Sequence, residues 1–319
     1  MNYQEQTDRL FDEQLQNWVL LRTNVQGLEE AITRSLPFEG FTINLQFNPR
    51  RIRSSGAKVD KASIEQRPCF LCAGNRPPGQ ESVPFENDYE ILCNPYPIFP
   101  RHYTIAHKEH VPQRIRDSFP RLLELSRALP NLAVFYNGPR CGASAPDHLH
   151  FQAGNRGFMP IEHNYRALLD HYGEAIPAAN DLRLVAVDDG LRRFIAAWTR
   201  DRQQLENLFS RLYDALLPWY DDQEEPMLNI LSWYNEGWRV LFFPRERHRP
   251  WQFFEEGEKN LLLSPAAVDF GGTLIFPLEK DFVRVTASEV RDVFDQVSLS
   301  PERFSRLKSL LNPKSQHKP

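Results

Sequence analysis

Residues 145–152 read APDHLHFQ, which sets His148, His150 and Gln152 two positions apart. On a β-strand that spacing places all three on one face and turns Leu149 and Phe151 to the other. Two imidazoles and a carboxamide on one face either line a site or meet solvent. The small-residue loop before them, with Gly142, Ser144 and Pro146, can approach a ligand closely and favours the site. The chemistry such a face suits is nucleophilic attack on phosphorus. Neutral imidazole is a competent nucleophile near neutral pH, and a covalent nucleotidyl intermediate divides one displacement into two steps. Glutamine at the next same-face position can donate to a nonbridging phosphoryl oxygen as charge builds there. No third histidine follows to serve as an acid or base.

A second constellation is Cys69 and Cys72 in RPCFLCAGNRPPG, where Pro and Gly shape a tight knuckle. Two thiolates from such a loop can meet one ion, and a tetrahedral zinc site needs two further ligands from elsewhere. His102, His107, His110, His148 and His150 are the candidates. The competing reading is a pair of reduced core cysteines, because free Cys is among the most buried residue types. Cys93 and Cys141 are most simply small buried fillers. Arg50, Arg51 and Arg53 in NPRRIRSSGAK could grip phosphates through guanidinium forks, or form a solvated basic loop. Arg245, Arg247 and His248 in PRERHRP could form part of an acceptor site, or simply a charged turn.

The elements that must position these residues alternate between strand and helix. Apolar residues at three- and four-residue steps predict one amphipathic helix from about Asp8 to Leu36. FTINLQF, YEILCN, HYTIAH, LAVFYNG and HLHFQAG read as strands, with a helix around Pro120 to Leu129. A second pass begins near Leu182: LRLVAV, a helix from about Asp201 to Leu217, then LNILSWY, WRVLFFP and GGTLIFPL. The stretch YEILCNPYPIFPRHYTIAHKEHVP also echoes LNILSWYNEGWRVLFFPRERHRP, which suggests two degenerate copies of one α+β unit. The organisation expected is a helical extension over 1–40, a catalytic half over 41–180 and a degenerate half over 181–319.

Composition narrows the function classes. The chain has 319 residues, 41% of them apolar, and a net charge of -4, which gives no bulk electrostatic reason to bind nucleic acid. Its polar N-terminus offers no secretory signal, and no apolar run reaches the length of a membrane span, so the cytoplasm is the expected compartment. Four cysteines do not make a disulfide scaffold.

CFLCAGN together with HLHFQ resembles galactose-1-phosphate uridylyltransferase and its relatives, the branch of the histidine-triad superfamily marked by His-x-His-x-Gln. FNPRRIRSSGAKVD, NPYPIFPRHYTIAHKEHVP and EVRDVFDQVSLSPERF look closer to the dinucleoside tetraphosphate and GDP-hexose phosphorylases. The resemblance runs from about Phe41 to Phe304. It implies an α+β fold, a histidine-triad-like antiparallel sheet with flanking helices in which two copies form one extended sheet. It makes His150 the nucleophile, Gln152 the donor to the nucleotidyl intermediate, and the His148 carbonyl the acceptor that sets the tautomer of His150. Cys69, Cys72, His102 and His148 match four zinc ligands, a closed and therefore structural site. Arg50, Arg51, Arg53, Asn137 and Ser144 become substrate contacts. Asp147 departs from the pattern by standing between Pro146 and His148, where it has no implied role. A second metal site of some uridylyltransferases needs a histidine cluster in the second half, where only His248 stands, and is not carried over.

The function implied is transfer of a nucleoside monophosphate from a nucleoside diphosphate sugar or dinucleoside polyphosphate, through nucleotidyl-His150, to phosphate or a sugar phosphate. Neither nucleic acid nor membrane is an expected partner, and a homodimer is one arrangement open to it. The alternative class is a nonenzymatic, zinc-stabilised nucleotide-binding or regulatory protein, against which the presence of His150 counts. Zinc-dependent nucleic-acid binding fits the knuckle but not the acidic balance.

Overall fold

A computed structural model describes residues 1–51, 61–220 and 225–313. Arg53, one of the basic-loop candidates, lies outside them.

The first segment differs from the single helix expected. Helix α1 (Tyr3–Asn17) ends at Trp18, whose backbone is extended, and α2 (Val19–Glu29) follows at once. From Ile32 the chain is strand: β1 (Ile32–Phe38) pairs antiparallel with β2 (Phe41–Phe47), from Ile32↔Phe47 to Phe38↔Phe41. Helical spacing up to Ile32 is overridden there by a seven-residue ladder and by Pro37, which a helix interior does not accept. Gly40, at φ +72°, supplies the left-handed residue of the connecting turn.

Two runs of the same grammar follow. The first is β3 (Ser82–Phe85), β4 (Tyr89–Cys93), β5 (His102–His107), helix α3 (Phe119–Ala128), β6 (Leu132–Asn137) and β7 (His150–Asn155). After helix α4 (Pro160–Tyr172) comes the second: β8 (Gly173–Ile176), β9 (Arg183–Asp188), β10 (Arg193–Thr199), helix α5 (Arg202–Leu216), β11 (Leu228–Tyr234) and β12 (Trp238–Pro244). All ten strands form one sheet in the order β3-β4-β5-β7-β6-β11-β12-β10-β9-β8. That order is the same five-strand unit twice, joined edge to edge through β6 and β11, with every pairing antiparallel.

The two-copy expectation therefore holds, but the echo used for it was misregistered. It matched β4–β5 with β11–β12, whereas the topology equates β4–β5 with β9–β10 and β6–β7 with β11–β12. Strands in a sheet covered on both faces all read as apolar runs between turns, so short likenesses among them carry little positional information.

One sheet face is covered by α1, α2, α3, α5 and α7 (Pro301–Leu311); in this layer Phe119 of α3 and Phe209 of α5 stack at 4.0 Å. Leu122, Leu123 and Leu125 of α3 are fully enclosed, each contributing about 1.5–3 kcal/mol by burial. The other face carries α4, α6 (Ala287–Val297) and a three-stranded sheet, β1-β2-β13, in which β13 (Thr273–Phe276) runs parallel to β2. The β1–β2 hairpin and β13, far apart in sequence, thus pair over this second face. Among the described residues no helix is long and apolar enough to cross a membrane.

Candidate functional site

On β7 the period of two does what the spacing predicted. Phe151 and Ala153 pack in the helical core with Leu149, while His150 and Gln152 line a cavity of about 690 Å³ on the opposite face. Asn137, Ser144 and Arg51 line the same cavity. Gly142 sits at φ +95°, and a Cβ there would lie 2.6 Å from the Ala266 side chain, so the loop before β7 can pass only as glycine.

His150 is enclosed and its ring is oriented. Its Nδ1–H donates to the His148 carbonyl at 2.8 Å, which leaves Nε2 as the bare nitrogen. Burial lowers its pKa to about 4, against the effect of that hydrogen bond, so the ring is neutral at neutral pH. Gln152 is fixed from behind. The Ile98 N–H donates to His102 Nδ1 at 3.2 Å, so His102 Nε2 carries the proton and donates to Gln152 Oε1 at 2.9 Å. The NH2 of Gln152 is then its free end in the cavity.

These contacts correct the ligand set. His102 lies wholly buried, between Phe99 and Phe135, and both its nitrogens are used. His110 stands in its place: its Nδ1 is 3.3 Å from Cys72 Sγ, and His148 Nδ1 is 3.3 Å from Cys69 Sγ and 3.6 Å from Cys72 Sγ. Ligand atoms of Cys69, Cys72, His110 and His148 all lie within 4.8 Å of one another.

The group fits a tetrahedral ion. Zinc bonds of the usual length put neighbouring sulfur and nitrogen ligands about 3.5 Å apart. His148 Nε2–H donates to the His107 carbonyl at 2.7 Å, leaving Nδ1 unprotonated toward the thiols. Burial, then Cys69, pushes the Cys72 thiol up, and a cation between the two sulfurs offsets the cost of ionising both. Asp147 acquires a place here: Oδ1 meets Arg67 at 3.1 Å and Oδ2 lies 3.7 Å from His110 Nε2.

The basic residues divide. Arg51 reaches the cavity and its Nη1 donates to the Tyr96 carbonyl at 2.5 Å; burial lowers its pKa to about 10, which still leaves it a cation. Arg50 lies instead against Gly27 of α2 and donates to Asn24 Oδ1 at 3.3 Å, so it is no part of the cavity lining. His248 and Arg249 do line it, with burial and then Arg249 lowering the His248 pKa to about 3. Arg245 is a buried strut: it donates to Asn229 Oδ1 and to the carbonyls of Val297, Pro265, Arg247 and His248. Cys93 and Cys141 are the buried fillers expected, their thiols pushed up to about 12 by burial.

Residues 10–155 match a family model described as a domain of unknown function (DUF4922), and residues 192–316 one described as GDPGP1-like, C-terminal domain. The galactose-1-phosphate uridylyltransferase of Halalkalibacterium halodurans is 30% identical over 134 residues, 37% of this chain and 26% of that protein. That of Clostridium acetobutylicum is 28% identical over 165 residues, 43% of this chain and 33% of that protein. The chain thus matches only about a quarter to a third of the length of these curated relatives. Among solved structures, yeast Ap4A phosphorylase Apa2 in complex with AMP superposes with a TM-score of 0.61 at 14% identity, covering 94% of this chain and 98% of that one. Its complex with Ap4A gives 0.60 at 15% identity, over 88% and 96%. At such identities the likeness is one of fold.

Proposed function

We propose that the chain is a member of the uridylyltransferase and phosphorylase branch of the histidine-triad superfamily, a reading supported by its relatives and its fold, and that it transfers a nucleoside monophosphate by way of His150. The donor is a nucleoside diphosphate sugar or a dinucleoside polyphosphate. The acceptor is phosphate or a sugar phosphate.

In the first step the Nε2 lone pair of His150 forms a bond to the α-phosphorus, and the bond from that phosphorus to its bridging oxygen breaks. The leaving phosphate takes the electron pair. In the second step an acceptor oxygen attacks the same phosphorus, the P–N bond breaks, and Nε2 recovers its lone pair. Nδ1–H stays on the His148 carbonyl throughout and stabilises the positive charge that the ring carries as the adduct forms. Gln152, with its oxygen held by His102, offers N–H to a nonbridging oxygen. Arg51, Asn137 and Ser144 stand along the cavity as contacts for the phosphates and sugar.

Two thiolates and two imidazoles are the donor set of a structural zinc site. Cys69, Cys72, His110 and His148 would hold the ion with no position left open, so it would join the knuckle to the segment just before β7 and supply structure, not an activated water. The observation that carries the reading is the bare Nε2 of a neutral, buried His150 facing the cavity. A panel of labelled nucleoside diphosphate sugars and dinucleoside polyphosphates tests it. An acid-labile phosphoramidate should form on the wild type and not on His150→Ala. Equal labelling of both, or of neither, would sink the mechanism.

A further inference from the structure

Strands β6 and β7 pair from Leu132↔Asn155 to Phe135↔Gln152. Continued in that register, the ladder would set Asn137 opposite His150. A side chain stands there instead. Gln113, 1% exposed, accepts the His150 N–H on Oε1 at 2.7 Å and donates from Nε2 to the His150 carbonyl at 3.0 Å and to the Asn137 carbonyl at 2.9 Å. Its amide does the work of a peptide unit inserted between the two strands. Flipping that amide would set its NH2 against the His150 N–H, so one orientation satisfies every partner.

We propose that Gln113 is a positioning residue for the nucleophile, holding the His150 backbone by both its donor and its acceptor so that the ring presents Nε2 to the cavity. This rests on the reading of His150 as the nucleophile. On its other edge His150 pairs with Ala106 of β5, and its ring is tied by Nδ1–H to the His148 carbonyl. The β6–β7 ladder stops at Phe135↔Gln152, so without Gln113 a buried N–H and two carbonyls on the β6 side of His150 lose their partners. The inserted amide also marks where the strands diverge and the Asn137 side chain enters the cavity lining. The Asn137 oxygen accepts from Asn229 Nδ2 at 2.8 Å and from the Ala267 N–H at 2.9 Å, which leaves its NH2 as the donor toward a ligand.

Gln113 is itself anchored. Its N–H donates to the Pro146 carbonyl at 3.3 Å, and its carbonyl lies 3.2 Å from the Tyr136 hydroxyl. The neighbouring Val111 carbonyl takes the Leu149 N–H at 2.7 Å. The segment from Val111 to Gln113 therefore acts as a short extra edge to the histidine strand.

The test uses the full chain with its metal and whichever nucleotide of the panel above labels the wild type. Gln113→Met keeps length and bulk and removes all three hydrogen bonds. Its single-turnover labelling rate should fall about 10- to 100-fold, as a sub-ångström to ångström misplacement of a nucleophile does, with KM little changed. Nitrogen NMR of the His150 ring should show the single Nδ1–H tautomer of the wild type giving way to a mixture, at unaltered metal content. Should Gln113→Met not fold, Gln113→Glu carries the same test, since the carboxylate keeps the acceptor for the His150 N–H and loses both donors. Wild-type labelling and a wild-type ring tautomer in either folded variant overturn the proposal, as does failure of both to fold, which would make Gln113 a folding residue. A wild type that forms no adduct, or a His150→Ala that does, overturns the nucleophile reading instead.

Discussion

β7 and β12 occupy the same place in the two copies of the unit, yet one lines a cavity with polar side chains and the other is core. On β7 the cavity face carries His150 and Gln152; on β12 the apolar residues Val240, Leu241, Phe242 and Phe243 fill both faces. The knuckle differs as well. Among the described residues the Cys and His cluster occurs beside the first copy, and the second has instead a buried arginine, Arg245, that gathers the loop after β12. The difference teaches that the repeated unit supplies a frame twice as wide while the histidine-bearing lining stands on one side. The second copy contributes walls, His248 and Arg249 among them, and the first contributes His150 and Gln152.

The largest effect that can sharpen this contrast is metal removal. A structural zinc ion typically contributes binding free energy on the order of 10 kcal/mol, and one held by Cys69, Cys72, His110 and His148 would place it in the first copy. Chelation should therefore loosen the knuckle and β7 first, seen as early amide exchange at Cys69 to Asn75 and His148 to Gln152, with β9 to β12 protected longer. His110→Ala should lose the metal on dialysis and His102→Ala should retain it while labelling more slowly, because His102 holds Gln152 and not the ion. Metal loss from both variants alike would return His102 to the ligand set.

That pair of histidines also marks how far the sequence could be read. Alternation on HLHFQ gave the correct faces for His150 and Gln152 against Leu149 and Phe151, but His148 stands before β7, against Cys69 and Cys72 and outside the cavity lining; the CFLC knuckle is local enough to be legible. The choice between His102 and His110 was not. Both follow β4 in a stretch rich in His and Pro, and only the antiparallel register of β5 on β7, with His102 opposite Gly154, decides which imidazole reaches Cys72. Gln113 was invisible for a related reason: a lone glutamine before a helix carries no signal until a strand partner is missing beside it. In the fold, the duplicated sheet was legible in kind, but β1 was hidden in a helical pattern and β10 (RFIAAWT) lacked the alternation that marks a half-buried strand.

Next in size is the strut of the second copy. Arg245 is fully buried and donates to four carbonyls and a carboxamide, while its guanidinium lies 4.8 Å from the Phe270 ring centroid. Replacing it with Met keeps the volume and leaves those acceptors without a donor, at a cost of about 3–5 kcal/mol in chemical denaturation. Bound metal should be unchanged, since no contact of Arg245 reaches the knuckle. Loss of metal along with stability would mean the two copies are coupled through the loop after β12 and not only through the sheet.

The smallest effect concerns the strap by which the second copy braces the first. Glu225, 5% exposed, accepts the Ile115 N–H and the Tyr136 hydroxyl, each at 2.5 Å, and so pins the segment that carries Gln113. Burial raises its pKa from 4.5 to about 7, against the lowering effects of Tyr136, Ile115 and Arg114. A carboxyl whose folded pKa is raised binds more protons folded than unfolded between those two values. The contribution of Glu225 to stability therefore falls as pH rises from about 4.5 to about 7 and levels off above, by no more than about 3 kcal/mol. Glu225→Gln does not titrate, and its amide can accept from Ile115 while donating to the Tyr136 oxygen, whose own proton then serves the Gln113 carbonyl. Melting temperatures at pH 5 and pH 8 should show the variant gaining on the wild type as pH rises. A difference that stays constant across that interval would mean Glu225 ionises in the folded chain as readily as in the unfolded one, and that the brace between the copies carries no stored charge.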